Sequence, residues 1–393
     1  MSLCIAPGAT IGMLGGGQLG RMTALAARSM GYRIHVLDPD VDCATAPVAD
    51  RAVAARFDDV EAARDLARHC QVITLEIEQI ATAVIDAATT YAPARPGSHV
   101  IGIIQDRARQ KAWLTEHGFP VGRFRAVNAA ADIANAVQSY GGAFVKSTRG
   151  GYDGRSQVRV STVQDAGEAW RALGERTAVA EQALDLAGEL SVMIARRPSG
   201  ETKVFPAALN HHERQILAWS VIPAPLNRTL IDRAVDIGRS IAEAIELEGL
   251  LAVELFLTSS GELFVNELAP RPHNSFHASE RACVTSQFEQ LTRAVCDLPL
   301  GDVSVVRPAA IVNLFGDLWS DNETPDFAAA LGDPLVRLHL YGKRGARPGR
   351  KMGHLSAIGG SYADALRVAR DAADRIGART GALPESIRPF MAP

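Results

Sequence analysis

Short apolar runs alternate with helical patterns along the first hundred residues. The run Thr10–Leu14 precedes a helical pattern from Gln18 to about Met30, and a second apolar run, Tyr32–Leu37, follows it. A further helical stretch at 58–70 leads into the apolar run Val72–Leu75. Short buried strands that alternate with helices are typical of a parallel sheet covered by helices. The pattern therefore predicts an N-terminal α/β unit.

The remainder of the chain mixes both kinds of pattern without a regular alternation. Apolar residues spaced three and four apart predict helices, and short apolar or alternating runs predict strands. The predicted helices are Gln105–His117, Arg228–Glu248, Glu280–Cys296 and Tyr362–Ile376. The predicted strands are Ala143–Ser147, Val158–Val160, Thr177–Leu184, Ser191–Ala195, Lys203–Ala208, Ala309–Phe315 and Leu335–Tyr341. The predicted fold class is thus α/β in the first domain and α+β beyond it.

One pair of strands predicts a hairpin. The apolar runs Leu250–Leu257 and Leu263–Leu268 flank the polar stretch Thr258–Gly261, which is the pattern of two antiparallel strands joined by a tight turn. If the hairpin is symmetric about Ser260 and Gly261, each residue before the turn has a defined partner after it. The hairpin register can therefore be read from the sequence.

That register places Glu254 directly opposite Glu267, with Cβ atoms roughly 5 Å apart. Two facing carboxylates repel unless a cation lies between them, and Mg²⁺ commonly takes one or two carboxylates together with substrate phosphates. The pair is therefore a candidate metal site, and a solvated strand face with two glutamates is the alternative. Asn266 should lie on the other face from Glu267, so joint action of these two residues requires a bulge or a strand end.

The segment after the hairpin reads NELAPRPHNS. It brings an acid, Arg271, His273 and Asn274 out of the strand within a stretch stiffened by prolines. Loops held by rigid strands are common places for binding chemistry. This segment is therefore the first candidate for a catalytic loop.

Two other stretches have the composition of anion-binding loops. Between the strands that end at Ser147 and begin at Val158, the segment Thr148–Gln157 contains three glycines and follows Lys146, which suits a mobile lid over phosphates. Gly342–His354 holds six basic residues, although a charge run is more often a solvated loop.

The first strand leads into a GxGxxG turn formed by Gly15, Gly17 and Gly20, and Asp38 follows the second strand. Such turns aim backbone N–H groups at phosphates, and a dinucleotide site with Asp38 on the ribose is one interpretation. A tight turn without a ligand is the other. Glu76 at the end of a later strand lies at the edge where ligands of open α/β sheets gather, so it is a candidate substrate contact.

The composition of the chain argues against a nucleic-acid-binding or membrane protein. The chain has 393 residues, 47% of them hydrophobic, and a net charge of −3, which gives no electrostatic footprint for nucleic acid or a membrane. The five cysteines are scattered without metal-site spacing, as expected in a reducing compartment. Together with the absence of a long apolar run, this predicts a cytoplasmic protein.

Five motifs, in this order, resemble the 5-(carboxyamino)imidazole ribonucleotide synthase family of the ATP-grasp superfamily: GGGQLGRM, QDR with a following Lys, GYDGR, NELAPRPHNS and YGK…GRKMGH. The resemblance implies a Rossmann-like pre-ATP-grasp domain at 1–104, an ATP-grasp domain at 105–298 with a lid at about 122–184, and a small C-terminal domain at 305–393. It also implies a homodimer, with Mg²⁺ or possibly Mn²⁺ and with ATP as cosubstrate.

The resemblance further implies roles for individual residues. The implied catalytic residues are Asp153, Arg271, His273 and Asn274, and the implied metal ligands are Glu254 and Glu267. Implied ATP contacts are Arg107, Lys146, Gly151, Tyr152, Asp153, Gly154, Arg155, Ser156, Gln157, Glu181, Gln182, Ala183, Leu184, Glu189, His212, Asn266 and Glu267. Implied ribonucleotide contacts are Gly17, Gln18, Leu19, Glu76, Tyr152, Arg155, Lys343 and Arg350. The chain departs from the family pattern at Leu75, Gln79, Ser147, Ser156 and Phe276.

The function implied by the resemblance is carboxylation of 5-aminoimidazole ribonucleotide with ATP and bicarbonate in purine biosynthesis. The reaction would pass through carboxyphosphate, whose carboxyl group reaches the amine directly or as CO₂. Another ATP-grasp ligase, such as a formate-dependent glycinamide ribonucleotide transformylase, would share the ATP site. The interpretation as an NAD-binding oxidoreductase or a nucleotide-sensing module is supported by the GxGxxG turn alone.

Overall fold

The computed structural model describes residues 4–150, 157–319, 323–378 and 380–392. Its first unit contains the elements β1 (Thr10–Leu14), α1 (Gln18–Ser29), β2 (Arg33–Asp38), β3 (Arg51–Ala54), α2 (Val60–Ala67), β4 (Val72–Leu75), α3 (Thr82–Thr89) and α4 (Ser98–Ile104). The four strands form a parallel sheet in the order β3-β2-β1-β4. The predicted α/β unit is confirmed, with β3 as an additional edge strand.

A second, smaller sheet follows. It is built from the segment α5 (Arg107–Glu116), β5 (Phe124–Val127), α6 (Ala130–Tyr140), β6 (Ala143–Ser147), β7 (Gln157–Val160), α7 (Ala166–Ala172) and β8 (Ala178–Gln182). The strands are antiparallel in the order β5-β8-β6-β7, and α6 and α7 pack on the sheet through their apolar faces. The two strands that flank the glycine-rich stretch, β6 and β7, are therefore neighbours.

The largest sheet runs through the rest of the chain. Its segment contains β9 (Leu186–Arg196), β10 (Thr202–Val204), β11 (Ala208–Glu213), β12 (Ile216–Ile222), α8 (Arg228–Ala244), β13 (Gly249–Thr258), β14 (Leu263–Ala269), α9 (Ser279–Ala282), α10 (Gln287–Val295), β15 (Ala309–Phe315), α11 (Phe327–Ala330), β16 (Val336–Leu340), β17 (Lys351–Ile358) and α12 (Tyr362–Asp374). The strand order is β14-β13-β9-β11-β12-β15-β17-β16, with β10 on β9. Because β12 pairs with β15, the last three strands extend the sheet that carries the hairpin.

The helix α8 supports the hairpin from behind, as its pattern predicts. Leu230, Ala234 and Ile241 form its buried stripe, and they belong to the same apolar core as Val192 on β9 and Val253 on β13. The helix begins at Asn227, whose side-chain oxygen accepts a hydrogen bond from the Leu230 N–H. The hairpin is thus held on a packed, rigid base.

Several predicted elements differ from the structure in their limits or continuity. The strand expected over Lys203–Ala208 is divided between β10 and β11, because Pro206 lies between them and cannot donate a ladder hydrogen bond. The helix expected over Glu280–Cys296 is also divided into α9 and α10. Cys283 leaves the helix to pair with Val305, and Ser286 then caps α10 by accepting from the Glu289 N–H. Finally, the end of the basic segment, from Lys351 on, is the strand β17.

Among the described residues, no helix combines the length and the apolar character that a membrane crossing requires.

Candidate active site

A cleft of about 760 Å³ lies where the three sheets meet. Most of the residues expected in the site line it, although they come from distant parts of the sequence. These residues are Gln18, Leu19, Glu76, Arg107, Lys146, Gln157, Glu181, Gln182, Leu184, Glu189, His212, Glu254, Asn266, Glu267, Arg271, His273, Asn274, Lys343 and Arg350. The fold therefore gathers the candidate residues into one place.

Two expected residues do not line the cleft in the described part of the chain. Ala183 donates its N–H to the Gly142 carbonyl, and Gly17 donates its N–H to a side chain described below. The expected residues Gly151, Tyr152, Asp153, Gly154, Arg155 and Ser156 lie outside the described residues.

The hairpin places Glu254 opposite Glu267, as expected, but the path to that register differs from the prediction. Near the tip, Leu257 pairs with Leu263, so the turn is centred on Ser260 alone. A bulge between the Leu255–Val265 pair and the Glu254–Glu267 pair then adds one residue, Asn266, to the second strand. The predicted symmetry about Ser260 and Gly261 is therefore wrong at the tip, and the bulge restores the predicted pairing of the two glutamates.

The bulge also explains how Asn266 can act beside Glu267. Its side-chain Nδ2 donates to Glu254 Oε2 over 3.2 Å, and Lys146 Nζ donates to its Oδ1 over 3.4 Å. Strict alternation along the strand would have turned Asn266 away from the glutamates. The amide thus connects the carboxylate pair to the lysine of the small sheet.

The carboxylate pair has the chemistry of a cation site. Burial, and then the negative charge of Glu267, raise the pKa of Glu254 to about 7. Ligand atoms of Glu254, Glu267 and His273 lie within 4.8 Å of one another. Hard oxygen donors that repel each other in a buried place suit Mg²⁺, since a divalent ion between them would remove the repulsion.

A buried ion cluster lies beside this pair. Glu181 Oε2 is 3.2 Å from Lys146 Nζ and 3.3 Å from Lys111 Nζ. Burial alone would raise the pKa of Glu181, but the two ammonium groups outweigh it and lower that pKa. Burial likewise lowers the pKa of Lys111, against the pull of Glu181. The carboxylate therefore holds two cations at the edge of the cleft.

Glu189 and His212 form a partly buried pair on the neighbouring strands β9 and β11. His212 Nδ1 is 3.1 Å from Glu189 Oε2. Burial opposes the charged form of His212, but Glu189 overcomes this effect and raises its pKa. The adjacent His211 instead contacts Glu213 and stacks on Trp219, so the two histidines point in different directions, as strand geometry requires.

The loop after β14 brings three side chains to the cleft. Arg271 Nε is 2.8 Å from Glu78 Oε1, which fixes the guanidinium at the mouth of the first sheet. His273 Nε2 lies 3.3 Å from Glu254 Oε1. Burial, followed by the charge of Arg271, lowers the pKa of His273 well below its usual range. The imidazole is thus neutral and directed at the carboxylate pair.

The glycine turn of the first sheet is occupied by the protein's own carboxylates. Glu76 accepts from the N–H groups of Gly17 (2.7 Å) and Gly20 (3.1 Å), and Asp38 accepts from the N–H of Gly16 (2.8 Å). Dinucleotide folds use such N–H groups for the pyrophosphate. Since carboxylates fill these positions here, the structure does not support the dinucleotide interpretation.

This arrangement makes Gly17 sensitive to substitution. A Cβ at this position would lie 2.5 Å from Glu76 Oε1, so Gly17→Ala must displace the carboxylate from its two N–H donors. We expect the free energy of unfolding to fall by about 1–3 kcal/mol, the cost of leaving buried polar groups unsatisfied. Urea denaturation measures this loss. Gly102→Ala is the matched control, because a Cβ in α4 would be 3.8 Å or more from its neighbours; an equal loss in the control would contradict the explanation.

The basic segment forms the third wall of the cleft. Lys343 Nζ donates to the Lys351 carbonyl over 3.0 Å, and Arg350 Nη1 donates to the carbonyls of Arg344 (2.6 Å) and Gly345 (2.9 Å). Lys351 is buried at the start of β17 and also lines the cleft. Lys343, Arg350 and Lys351 therefore bring positive charge to the cleft from one segment of the chain.

Three further residues line the cleft, Lys111, Glu78 and Lys351, and the sequence patterns predict no role for them. Lys111 is the lysine that follows QDR, and it lies in an ordinary helical pattern that does not distinguish it. Glu78 lies two residues after Glu76, just beyond the end of β4. Its place at a strand end, where ligands of such sheets gather, could have indicated a site residue. Lys351 belonged to a charge run in which no single residue stood out.

Comparison with known proteins gives the class and then the family. The model of the ATP-grasp domain matches residues 112–288, the ribonucleotide synthetase preATP-grasp domain matches 8–105, and the phosphoribosylaminoimidazole carboxylase C-terminal domain matches 309–368. The chain is therefore an ATP-grasp ligase in its fold and in the arrangement of its cleft.

Similar proteins define the family more narrowly than the domain models do. The N5-carboxyaminoimidazole ribonucleotide synthase of Bacillus subtilis is 40% identical over 354 residues, which cover 90% of this chain and 92% of that protein. The Staphylococcus aureus N5-carboxyaminoimidazole synthetase complexed with ADP has a TM-score of 0.87 at 34% identity, covering 94% of this chain and 98% of that one. The Aspergillus clavatus enzyme in complex with ADP and 5-aminoimidazole ribonucleotide has a TM-score of 0.86 at 30% identity, with the same coverage. The chain belongs to the N5-carboxyaminoimidazole ribonucleotide synthase family.

Proposed function

We propose that the protein carboxylates the exocyclic amine of 5-aminoimidazole ribonucleotide with ATP and bicarbonate, releasing ADP and phosphate. Family membership supports the reaction. The observation that carries the chemistry is the facing pair Glu254 and Glu267, joined through Asn266 to Lys146 in a single cleft. This arrangement is suited to the transfer of a phosphoryl group between anions.

The proposed reaction has two steps. Bicarbonate is a poor electrophile, so an oxygen of bicarbonate first attacks the γ-phosphorus of ATP, giving carboxyphosphate and ADP. The amine lone pair then attacks the carboxyl carbon, the bond from that carbon to the bridging oxygen breaks, and phosphate leaves as the amine loses a proton. Both steps gather negative charge, so catalysis depends on placing positive charge and hydrogen-bond donors.

The ATP end of the cleft combines charge with an apolar slot. We assign Lys146 and Arg107 to the phosphates, with Gln157 and His212 nearby. Glu181–Leu184 and Glu189 are assigned to the adenosine. The slot for the base is lined by the apolar side chains Phe144, Leu184, Leu186 and Phe256. A planar apolar ring between such side chains removes apolar surface from water.

Glu254 and Glu267 are the residues that would hold Mg²⁺, with Asn266 beside them. Magnesium, when bound there, supplies charge neutralisation for the transferring phosphoryl group. The protein's own contribution is to hold the carboxylates in fixed positions through the bulge and through the packed base of α8.

Arg271 and Asn274 are assigned to bicarbonate and carboxyphosphate, and His273 and Asp153 are the candidates for orienting or deprotonating the amine. The backbone N–H and the hydroxyl of Ser275 lie against His273 Nδ1, at 3.5 and 2.8 Å, and the N–H can only donate. The proton of the neutral ring therefore lies on Nε2, which faces Glu254. This geometry favours His273 as an orienting donor over a base that removes the amine proton; Asp153, the other candidate for that step, lies outside the described residues.

The ribonucleotide is assigned to the face between the first sheet and the basic segment. Gln18 and Leu19 lie at the start of α1, and they line the same cleft as Lys343 and Arg350. A phosphate at this position would be neutralised by the two cations, and the amine would point toward the hairpin. Glu76, which holds the glycine turn, would shape this wall.

Three further proposals follow from the family. The chain is expected to form a homodimer and to act in the cytoplasm. The proposed domain limits are 1–104, 105–298 and 305–393, with the lid at about 122–184.

The test is phosphate release from MgATP with bicarbonate, measured with and without 5-aminoimidazole ribonucleotide. The proposal predicts strong stimulation by the ribonucleotide and formation of its carboxyamino derivative. ATP turnover that is indifferent to the ribonucleotide would contradict the substrate assignment, and an absence of turnover under all of these conditions would contradict the ligase function.

A further inference from the structure

Behind Asn274 lies a buried chain of polar side chains that the proposed reaction does not use. Gln287 at the start of α10 and His277 before α9 are both 0% exposed, and neither lines the cleft. They connect to Asn274 through consecutive hydrogen bonds. Buried polar groups of this kind stabilise one arrangement only if every donor meets an acceptor.

The orientation of the Gln287 amide follows from its backbone partners. Its Oε1 accepts from the N–H of His273 over 2.8 Å, and its Nε2 donates to the carbonyl of His273 over 3.0 Å. A backbone N–H can only donate and a carbonyl can only accept, so the reversed amide would lose both bonds. The Nε2 group of Gln287 is therefore a donor, and it also faces Nδ1 of His277 at 3.3 Å.

The tautomer of His277 follows next. Since the group facing it is a donor, Nδ1 must accept, and the ring proton lies on Nε2. Burial, followed by the proximity of His354, lowers the pKa of His277 well below its usual range, so the ring is neutral and has a single N–H. Its plane is held between Phe288 and His354, whose ring centroids lie 5.8 and 4.6 Å away.

The Nε2–H of His277 then donates to Oδ1 of Asn274 over 2.8 Å. With this oxygen engaged behind the loop, the part of the amide that remains for the cleft is the amino group Nδ2, which carries two donors. A flipped amide would set two donors against each other at His277 and would present an acceptor to the cleft.

We propose that Gln287 and His277 are positioning residues that lock the Asn274 amide so that it offers only hydrogen-bond donors to the oxygens of bicarbonate and carboxyphosphate. The proposal rests on the proposed function, because it specifies how that site recognises its smallest anion. Donors that are oriented before the charge develops need no reorganisation during the reaction. The sequence signal is the glutamine thirteen residues after Asn274, which no periodic pattern marks.

The test exchanges one polar atom. In Gln287→Glu, a carboxylate oxygen replaces the Nε2 donor, so the proton of His277 is drawn to Nδ1 and Nε2 becomes an acceptor. Asn274 must then turn its amino group toward His277 and its oxygen toward the cleft. We expect kcat/KM for bicarbonate to fall about 10²-fold, the cost of losing one oriented donor, while KM for ATP is unchanged.

Gln290→Glu is the matched control. Gln290 is on the same helix, is equally buried, and also bonds a backbone N–H and a backbone carbonyl, both of Gly301, without reaching a histidine. It should lose similar thermal stability and keep its kcat/KM for bicarbonate. An equal fall of kcat/KM in the control would show a general packing effect and would overturn the proposal.

A double variant tests whether Gln287 acts through Asn274. Asn274→Asp presents a carboxylate oxygen to the cleft directly, so adding Gln287→Glu should cause no further fall in kcat/KM for bicarbonate. If the two falls in kcat/KM multiplied in the double variant, Gln287 would act independently of Asn274, and the proposal would be overturned.

A measurement on the unaltered protein tests the role of His277 independently of the proposed reaction. Nitrogen NMR of ¹⁵N-histidine-labelled protein, with the His277 signal assigned from its loss in His277→Gln, reports which ring nitrogen carries the proton. Protonation at Nε2 is expected, and protonation at Nδ1 would overturn the proposal. Failure of the proposed function would instead appear as bicarbonate-independent turnover of the unaltered protein, whatever the tautomer.

Discussion

Replacing Glu254 with glutamine is expected to reduce ribonucleotide-dependent phosphate release by about 10²–10³-fold, since an oriented charged group is lost from the transferring phosphoryl site. Glutamine keeps the shape, and its amide oxygen can still accept from Asn266 Nδ2, but its amino group would then face the Nε2–H of His273, which is also a donor. The loss should therefore come from the missing charge together with the missing acceptor for His273. Steady-state phosphate release, with Mg²⁺ varied at fixed ATP, measures it, and the variant should require more Mg²⁺.

The same substitution should make the metal-free protein more stable. Burial and Glu267 raise the pKa of Glu254 to about 7, above its value in the unfolded chain, so its ionisation costs stability as pH rises from about 4 to 7. The gain in Glu254→Gln should grow between about pH 4 and pH 7, be complete above about pH 7 at on the order of 3 kcal/mol at most, and vanish below about pH 4.

Glu262→Gln is the control for both effects, because Glu262 is exposed at the tip of the same hairpin. It should change neither turnover nor stability. If Glu254→Gln turned over at the rate of this control, the carboxylate pair would not be the metal site.

Replacing Glu181 with glutamine is expected to be the most destabilising of the single substitutions considered. The carboxylate lies between Lys111 and Lys146, and its loss would leave two buried ammonium groups that repel each other. Removing one partner from a buried ion pair costs about 3–5 kcal/mol in the free energy of unfolding. Urea denaturation at neutral pH measures this quantity.

The pH dependence provides a second measurement on the same variant. The lysines hold the pKa of Glu181 below its unfolded value, so its stabilising contribution is complete above that unfolded value of about 4.3 and is lost as pH falls toward the folded value. In Glu181→Gln, the free energy of unfolding should lack this loss at acidic pH. Asp232→Asn is the control, since its pair with Arg228 is exposed and screened by solvent; an equal loss there would contradict this explanation.

Much of the fold could be predicted because its strands are short apolar runs with clear ends. Thr10–Leu14, Val72–Leu75, Ala143–Ser147 and Ala309–Phe315 are strands with the predicted limits. The strand β17 could not be predicted in the same way, because it begins with Lys351 inside a run of basic residues. That lysine is buried and also lines the cleft, which periodicity cannot indicate.

The candidate site could be predicted only where its chemistry follows a local pattern. The pairing of Glu254 with Glu267 came from hairpin register, although the bulge at Asn266 was needed to achieve it. The contact between Lys111 and Glu181 joins residues seventy positions apart on different elements. Such pairings depend on how the sheets pack, and a single sequence has no periodicity that reports them.

The central claim is that bicarbonate is activated by phosphorylation before the amine attacks. The most direct measurement follows ¹⁸O from labelled bicarbonate into the phosphate released in the presence of MgATP and 5-aminoimidazole ribonucleotide. The bridging oxygen of carboxyphosphate comes from bicarbonate and leaves with phosphate, so one ¹⁸O atom per phosphate is expected. Phosphate that carries no label from bicarbonate would contradict the account, because the γ-phosphoryl group would then have been transferred to another acceptor.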